Sequence, residues 1–242
     1  MEEKGVALVI GAGPGLGGAV ARRFAAEGYT VCATRRKKES LDNLVAEVES
    51  AGGTIESFGV DARKEEAVIE LFEHIEKEIG QLEVVVFNIG ANIRFNIVET
   101  TTRKYYKVWE MAAFAGFLAG REAAKYMKER VRGTIIFTGA TASVRGREGF
   151  SAFAGAKHAL RALAESMARE LMPQGIHVAH IIVDGMIDTP WIHENFGDAI
   201  AKMPEDAILD PNDIAENYLF IHNQPRSAWT FEMDLRPWCE KW

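Results

Sequence analysis

Five apolar runs of strand length, VALVI (6–10), TVCAT (30–34), LEVVVF (82–87), TIIFTG (134–139) and HVAHIIV (177–183), alternate along the chain with longer segments of helical period. Runs so evenly apolar are buried on both faces, and a strand covered on both faces belongs to a parallel sheet sandwiched between helices. The rhythm predicts an α/β fold built on a doubly wound parallel sheet. Long helices are expected near 101–129 and 150–172. No Pro/Gly/Ser linker, repeat or low-complexity tract interrupts the pattern, so residues 1–242 read as one domain. The stretch 184–211 has no clean period; it reads as a loop with short helices and is the candidate substrate lid.

The first run leads directly into GAGPGLGG, residues 11–18. Glycines let a chain turn tightly from strand to helix and let its backbone approach a pyrophosphate, whose charge then sits at the helix N-terminus. In that setting the turn makes the sheet Rossmann-like and marks Gly11, Gly13, Gly15, Leu16 and Gly17 as dinucleotide-binding candidates. Two registers are possible. Gly13, Gly15 and Gly18 fit G-x-G-x-x-G, whereas Gly11, Gly15 and Gly17 fit G-x-x-x-G-x-G; the second starts where VALVI ends and is preferred. About 20 residues past such glycines an NAD site places an acid for the ribose 2′-hydroxyl. Here the second run ends in ATRRKK, and the guanidinium groups of Arg35 and Arg36 suit a 2′-phosphate, which points to NADP(H). The bland alternative is a pair of solubilising loop arginines.

These features, with VDA (60–62), NIG (88–90) and a lysine late in the chain, resemble the short-chain dehydrogenase/reductase family over nearly the whole length. The resemblance implies that Asp61, beside Ala62, contacts the adenine, that Asn88 and Gly90 stand at the end of the fourth strand, and that Lys157 contacts the nicotinamide ribose. It also aligns DGMIDT (184–189) with the family's P-G-x-x-x-T, so that Ile187 and Thr189 become carboxamide contacts and Asp184 stands where the family has proline. Members of the family form dimers or tetramers, and the small residues of AAFAGFLAG and FAGAKHAL suit close helix contact in a homodimer or homotetramer.

The departures bear on chemistry. The family's catalytic tyrosine falls on Phe153, four residues before Lys157 and on the same helical face. Its serine falls on Ala140, and its helix asparagine on Ala112. Of that set only Lys157 can exchange a proton, so the chain resembles a divergent subgroup lacking the tyrosine and serine. Three readings stay open. The first is an NADPH oxidoreductase whose small carbonyl, imine or conjugated substrate needs little proton donation. In the second, another residue replaces the acid: Thr141 or Ser143, or Arg145, Arg147, Asp184 or His193. The third is a catalytically inactive NADP(H)-binding scaffold or redox sensor.

A net charge of −7 disfavours nucleic acid or an anionic membrane as partner, and no N-terminal segment has the order of a signal peptide, so a cytoplasmic protein is expected. Cys32 and Cys239 lack the spacing of a zinc site or redox disulfide and read as structural, with no metal expected. Tyr105 and Tyr106 read as packing residues. The C-terminal SAWTFEMDLRPWCEKW alternates like a strand and ends in Trp238 and Trp242, suited to burial in a core or interface or to closing a substrate pocket.

Overall fold

The computed structural model describes residues 4–241. Its strands are β1 (Val6–Ile10), β2 (Thr30–Arg35), β3 (Thr54–Gly59), β4 (Leu82–Phe87), β5 (Thr134–Thr138), β6 (His177–Val183) and β7 (Glu232–Leu235). They form one sheet in the order β3-β2-β1-β4-β5-β6-β7, and every neighbouring pair is parallel. The helices are α1 (Leu16–Ala26), α2 (Asp42–Ser50), α3 (Glu65–His74), α4 (Thr102–Trp109), α5 (Ala115–Arg130), α6 (Ser151–Leu171), α7 (Pro190–Ile200) and α8 (Pro211–His222).

Alternation along each strand splits the core in two. Ala7 and Val9 of β1, with Val31, Val84 and Ile181, pack under α1 and α8 around Phe24 and Tyr218. Val6, Leu8 and Ile10, with Val85, Phe87 and Phe137, face α3, α5 and α6. This Rossmann-like, doubly wound sheet carries helices on both faces, as the apolar runs require. The long helix expected over 101–129 is a single rod: a π turn at Glu110–Phe114 joins α4 to α5, and the buried Ala112 lies in that turn. Its small residues are used inside the protomer. A Cβ on Gly116 would lie 2.5 Å from Leu160 Cδ1, and one on Gly120 would lie 2.9 Å from Met167.

Two strands lay outside the five apolar runs. In β3 only Ile55 is buried, because it is the sheet edge and its other residues meet solvent or loops. β7 is half-buried at the opposite edge, where Glu232 accepts two hydrogen bonds from the Arg161 guanidinium of α6, at 2.6 and 2.8 Å. No helix among the described residues is long and apolar enough to cross a membrane. Trp242 lies outside the described residues.

Strand order reverses between β1 and β4, which opens a crevice beyond their C-terminal ends. That is where the site forms.

Candidate active site

The glycine turn carries the tightest backbone approach at the crevice. Gly11 has φ +95°, and a Cβ on Gly17 would lie 2.2 Å from the Gly11 carbonyl oxygen and 2.8 Å from Asn88 Nδ2. No side chain fits at either place. Asn88 closes the turn from β4: its backbone N–H donates to the Ile10 carbonyl at 2.9 Å and its amide donates to that of Gly11 at 3.2 Å. Thr189 reaches the same turn, since a Cβ on Gly15 would lie 2.7 Å from its methyl carbon. Its hydroxyl caps α7 by accepting from the Ile192 N–H.

Two cavities meet here and share Asn88, Ile89 and Gly90. The first, of about 230 Å3, is lined by Gly11, Gly13, Arg35, Arg36, Asp61 and Ala62, together with Thr34, Arg63 and Met111. Asp61 is not a free carboxylate. Arg63 grips it with Nε at 2.8 Å and Nη2 at 2.6 Å, and these bonds hold the acid below its usual range. Arg63 was not apparent from the motifs, although a base two residues beyond the acid was its visible signal.

The second cavity, of about 330 Å3, is lined by Leu16, Ala140, Thr141, Phe150, Phe153, Lys157 and Ile187, with Asn92, Arg145, Arg147 and Gly185 among others. Phe153 is buried and stands one turn before Lys157 on α6. Lys157 is only 3% exposed, and its ammonium donates to the carbonyls of Thr138 at 2.7 Å and Ile89 at 3.3 Å. Burial pushes its pKa down to about 8. Beneath it on β6, burial pushes His180 down to about 4, while its Nδ1 meets Glu232 at 3.0 Å.

Thr141 and Asp184 come together although 43 residues separate them. The threonine hydroxyl donates to the buried carboxylate at 2.5 Å, and Arg145 Nη2 holds its other oxygen at 2.6 Å, with Arg236 at 3.6 Å behind. Thr141 and Arg145 line the second cavity, whereas Ser143 does not: its fully buried hydroxyl accepts the Ala140 N–H at 3.1 Å and stabilises the turn after β5. His193 lies on the outer side of α7, paired with Asp188 at 2.6 Å. The 184–211 segment returns to itself through the Ile187–Leu209 bridge, and Trp238 of the tail donates to the Glu205 carbonyl at 3.1 Å.

The family described as short chain dehydrogenase matches residues 5–199. The chain belongs to this family. A 3beta-hydroxysteroid dehydrogenase of Mediterraneibacter gnavus is 32% identical over 215 residues, covering 88% of this chain and 77% of that protein. The crystal structure of a short-chain dehydrogenase from Rhodopseudomonas palustris is 48% identical, covers 96% of this chain and 98% of its own, and superposes with a TM-score of 0.82. A metagenomic short-chain oxidoreductase in complex with NADP shares the fold at 24% identity and a TM-score of 0.84, with 98% and 99% of the two chains covered.

Short-chain dehydrogenases use nicotinamide cofactors, and the residues present here fit one. The turn that excludes every Cβ at Gly17 offers bare backbone and the N-terminus of α1 to a pyrophosphate. The two joined cavities provide one compartment for each half of a dinucleotide. The rest of the second cavity is open space beside Lys157.

Proposed function

We propose that this short-chain dehydrogenase is an NADP(H)-dependent reductase in which Lys157 provides the proton that the family draws from tyrosine. The observation that carries it is the state of Lys157. An ammonium has three donors; two are taken by the Thr138 and Ile89 carbonyls, and Lys157 also lines the substrate cavity, so the third is the one a ligand can reach, and this reading gives it to the substrate in place of the ribose contact that the family resemblance implies. A pKa near 8 suits a general acid at neutral pH.

Arg35 and Arg36 would hold the 2′-phosphate, the Gly11–Gly17 turn the pyrophosphate, and Asn88, Gly90, Ile187 and Thr189 the nicotinamide end. The bound nicotinamide supplies hydride. Lys157 gives its proton to the substrate atom that gains negative charge and remains held by its two carbonyl partners. Thr141 has committed its own proton to Asp184, so toward a substrate its oxygen is an acceptor. Phe153 and Ala140, at the positions that align with the family's tyrosine and serine, contribute shape and dryness and no proton. That favours substrates whose developing charge is small or delocalised: a small activated carbonyl, an imine or a conjugated acceptor. The 184–211 segment serves as the lid. Tyr105, Tyr106 and Phe117 are exposed along the α4–α5 rod, which supports a homodimer or homotetramer through that face in a cytoplasmic enzyme.

The lack of an exchangeable proton at Phe153 and Ala140 favours a second reading, an inactive NADP(H)-binding scaffold or redox sensor. Calorimetric titration with NADPH and NADH, followed by single-turnover NADPH oxidation against α-diketone, imine and enone panels, tests both. Tight NADPH binding with turnover supports the reductase. Tight binding with no turnover at stoichiometric protein supports the scaffold, and NADH binding as tightly as NADPH removes the cofactor preference.

A further inference from the structure

The substrate cavity has a charge pattern that the reductase reading leaves unused. Among the described residues its lining includes three cationic side chains, Arg145, Arg147 and Lys157, and no carboxylate. The molecule around it carries a net charge of −7, so the cationic mouth runs against the overall field. The adjoining Asp184 is buried and engaged by Thr141, Arg145 and Arg236, which leaves Arg145 largely neutralised. Arg147 differs. It is exposed at the rim and has no ion-pair partner among the described residues, while its neighbour Glu148 is turned to Arg94 at 3.6 Å.

The loop bearing Arg147 is fixed on both sides. Phe95 N–H donates to the Gly149 carbonyl at 2.7 Å, tying it to the segment after β4, and Phe150 N–H donates to the Arg147 carbonyl at 3.0 Å. Phe150 and Phe153 line the same cavity and pack in one apolar cluster. The cavity thus brings together the buried Lys157 ammonium, two aromatic rings and the uncommitted, exposed guanidinium of Arg147.

We infer that the substrate is a small carboxylate, an aromatic or conjugated acid whose carboxylate pairs with Arg147 while its reducible carbon lies toward Lys157. This rests on the reductase reading for the identity of the reaction, but not for the binding it predicts. A guanidinium matches a carboxylate bidentately, and anions are drawn to a cationic cleft before contact is made. Arg35 and Arg36 lie in the other cavity, so Arg147 is separate from the proposed 2′-phosphate site.

The test is calorimetric titration of the full-length protein, with and without NADPH, using phenylglyoxylate and its uncharged methyl ester, repeated with R147Q and R147K. The acid is expected to bind at least about tenfold more tightly than the ester, equivalent to ~1.4 kcal/mol. R147Q should erase that difference, R147K should keep part of it, and NADPH affinity should not change. Raising salt should weaken the acid and leave the ester unaffected. Equal affinity for acid and ester overturns the inference, as does failure to detect either at millimolar concentration or an R147Q protein that keeps the preference. Failure to bind NADPH counts against the reductase instead, and the acid–ester comparison is then read without cofactor.

Discussion

The two cavities that meet at Asn88, Ile89 and Gly90 are built from different materials. The proposed cofactor half is made of backbone, with a glycine turn where a Cβ at Gly17 would stand 2.2 Å from a carbonyl oxygen, and of the half-buried Arg35 and exposed Arg36 at the end of β2. The proposed substrate half is made of side-chain pairings that cross the chain, such as Thr141 and Arg145 with Asp184. Backbone recognition tolerates no side chain at Gly11 or Gly17. Side-chain recognition can be rewired, and there the chain carries phenylalanine, alanine and aspartate where its family resemblance leads one to expect tyrosine, serine and proline.

The largest effect expected is therefore at the backbone half. Gly17→Val drives a side chain into the Gly11 carbonyl and into Asn88, and should reduce NADPH affinity by at least about a thousandfold, ~4 kcal/mol. Calorimetry measures the loss, and circular dichroism separates it from unfolding. Retained affinity would mean that the turn does not hold the cofactor.

A middling effect is expected where the halves differ most. Asp184→Asn keeps the shape but leaves Arg145 and Arg236 facing a neutral amide. Arg145 is 37% exposed, so water screens part of the loss, and about 1–2 kcal/mol of stability should go, lowering Tm by about 3–6 °C in a scanning calorimeter. An unchanged Tm would show that the buried carboxylate is held for its chemistry alone.

The smallest effect belongs to the arginines at the end of β2. Arg35→Asp should weaken NADPH by about tenfold and leave NADH nearly unchanged, because a partly exposed charge contributes on the order of 1 kcal/mol. Parallel titrations read the ratio. Equal weakening of both nucleotides would assign Arg35 to packing of the β2 end.

The same contrast governs what was legible in the sequence. β1, β2, β4, β5 and β6 declared themselves because both faces are buried, and the glycine turn did because it constrains residue type at fixed spacing. β3 was concealed by its edge position, where only Ile55 is buried. Helical spacing made Phe153 and Lys157 neighbours on one face and the resemblance marked Lys157 for the cofactor, but no local pattern announced that Lys157 would be 3% exposed with two carbonyl partners. Thr141, Ser143, Arg145 and Asp184 could be named as candidates and not sorted. Sorting them needed the fold, which turns Ser143 into its own loop and brings Asp184 across 39 residues to Arg145. Arg63, which holds Asp61 two residues away, is locally visible as a base, but the motif specifies only the acid.

The central claim is that Lys157 supplies the proton in a site whose tyrosine position holds phenylalanine. The most direct measurement is the pH dependence of kcat/KM for NADPH-dependent reduction of a reactive α-diketone, in the native protein and in Lys157→Met. The ammonium is the working form below its folded-state pKa of about 8, so kcat/KM should be level below that pH and fall about tenfold per unit above it. In Lys157→Met the rate should be lower by about 10²–10⁴ and the alkaline fall should vanish. A profile that stays level through pH 9.5, or a fall near pH 8 that survives in Lys157→Met, would contradict the claim and assign the proton to another group.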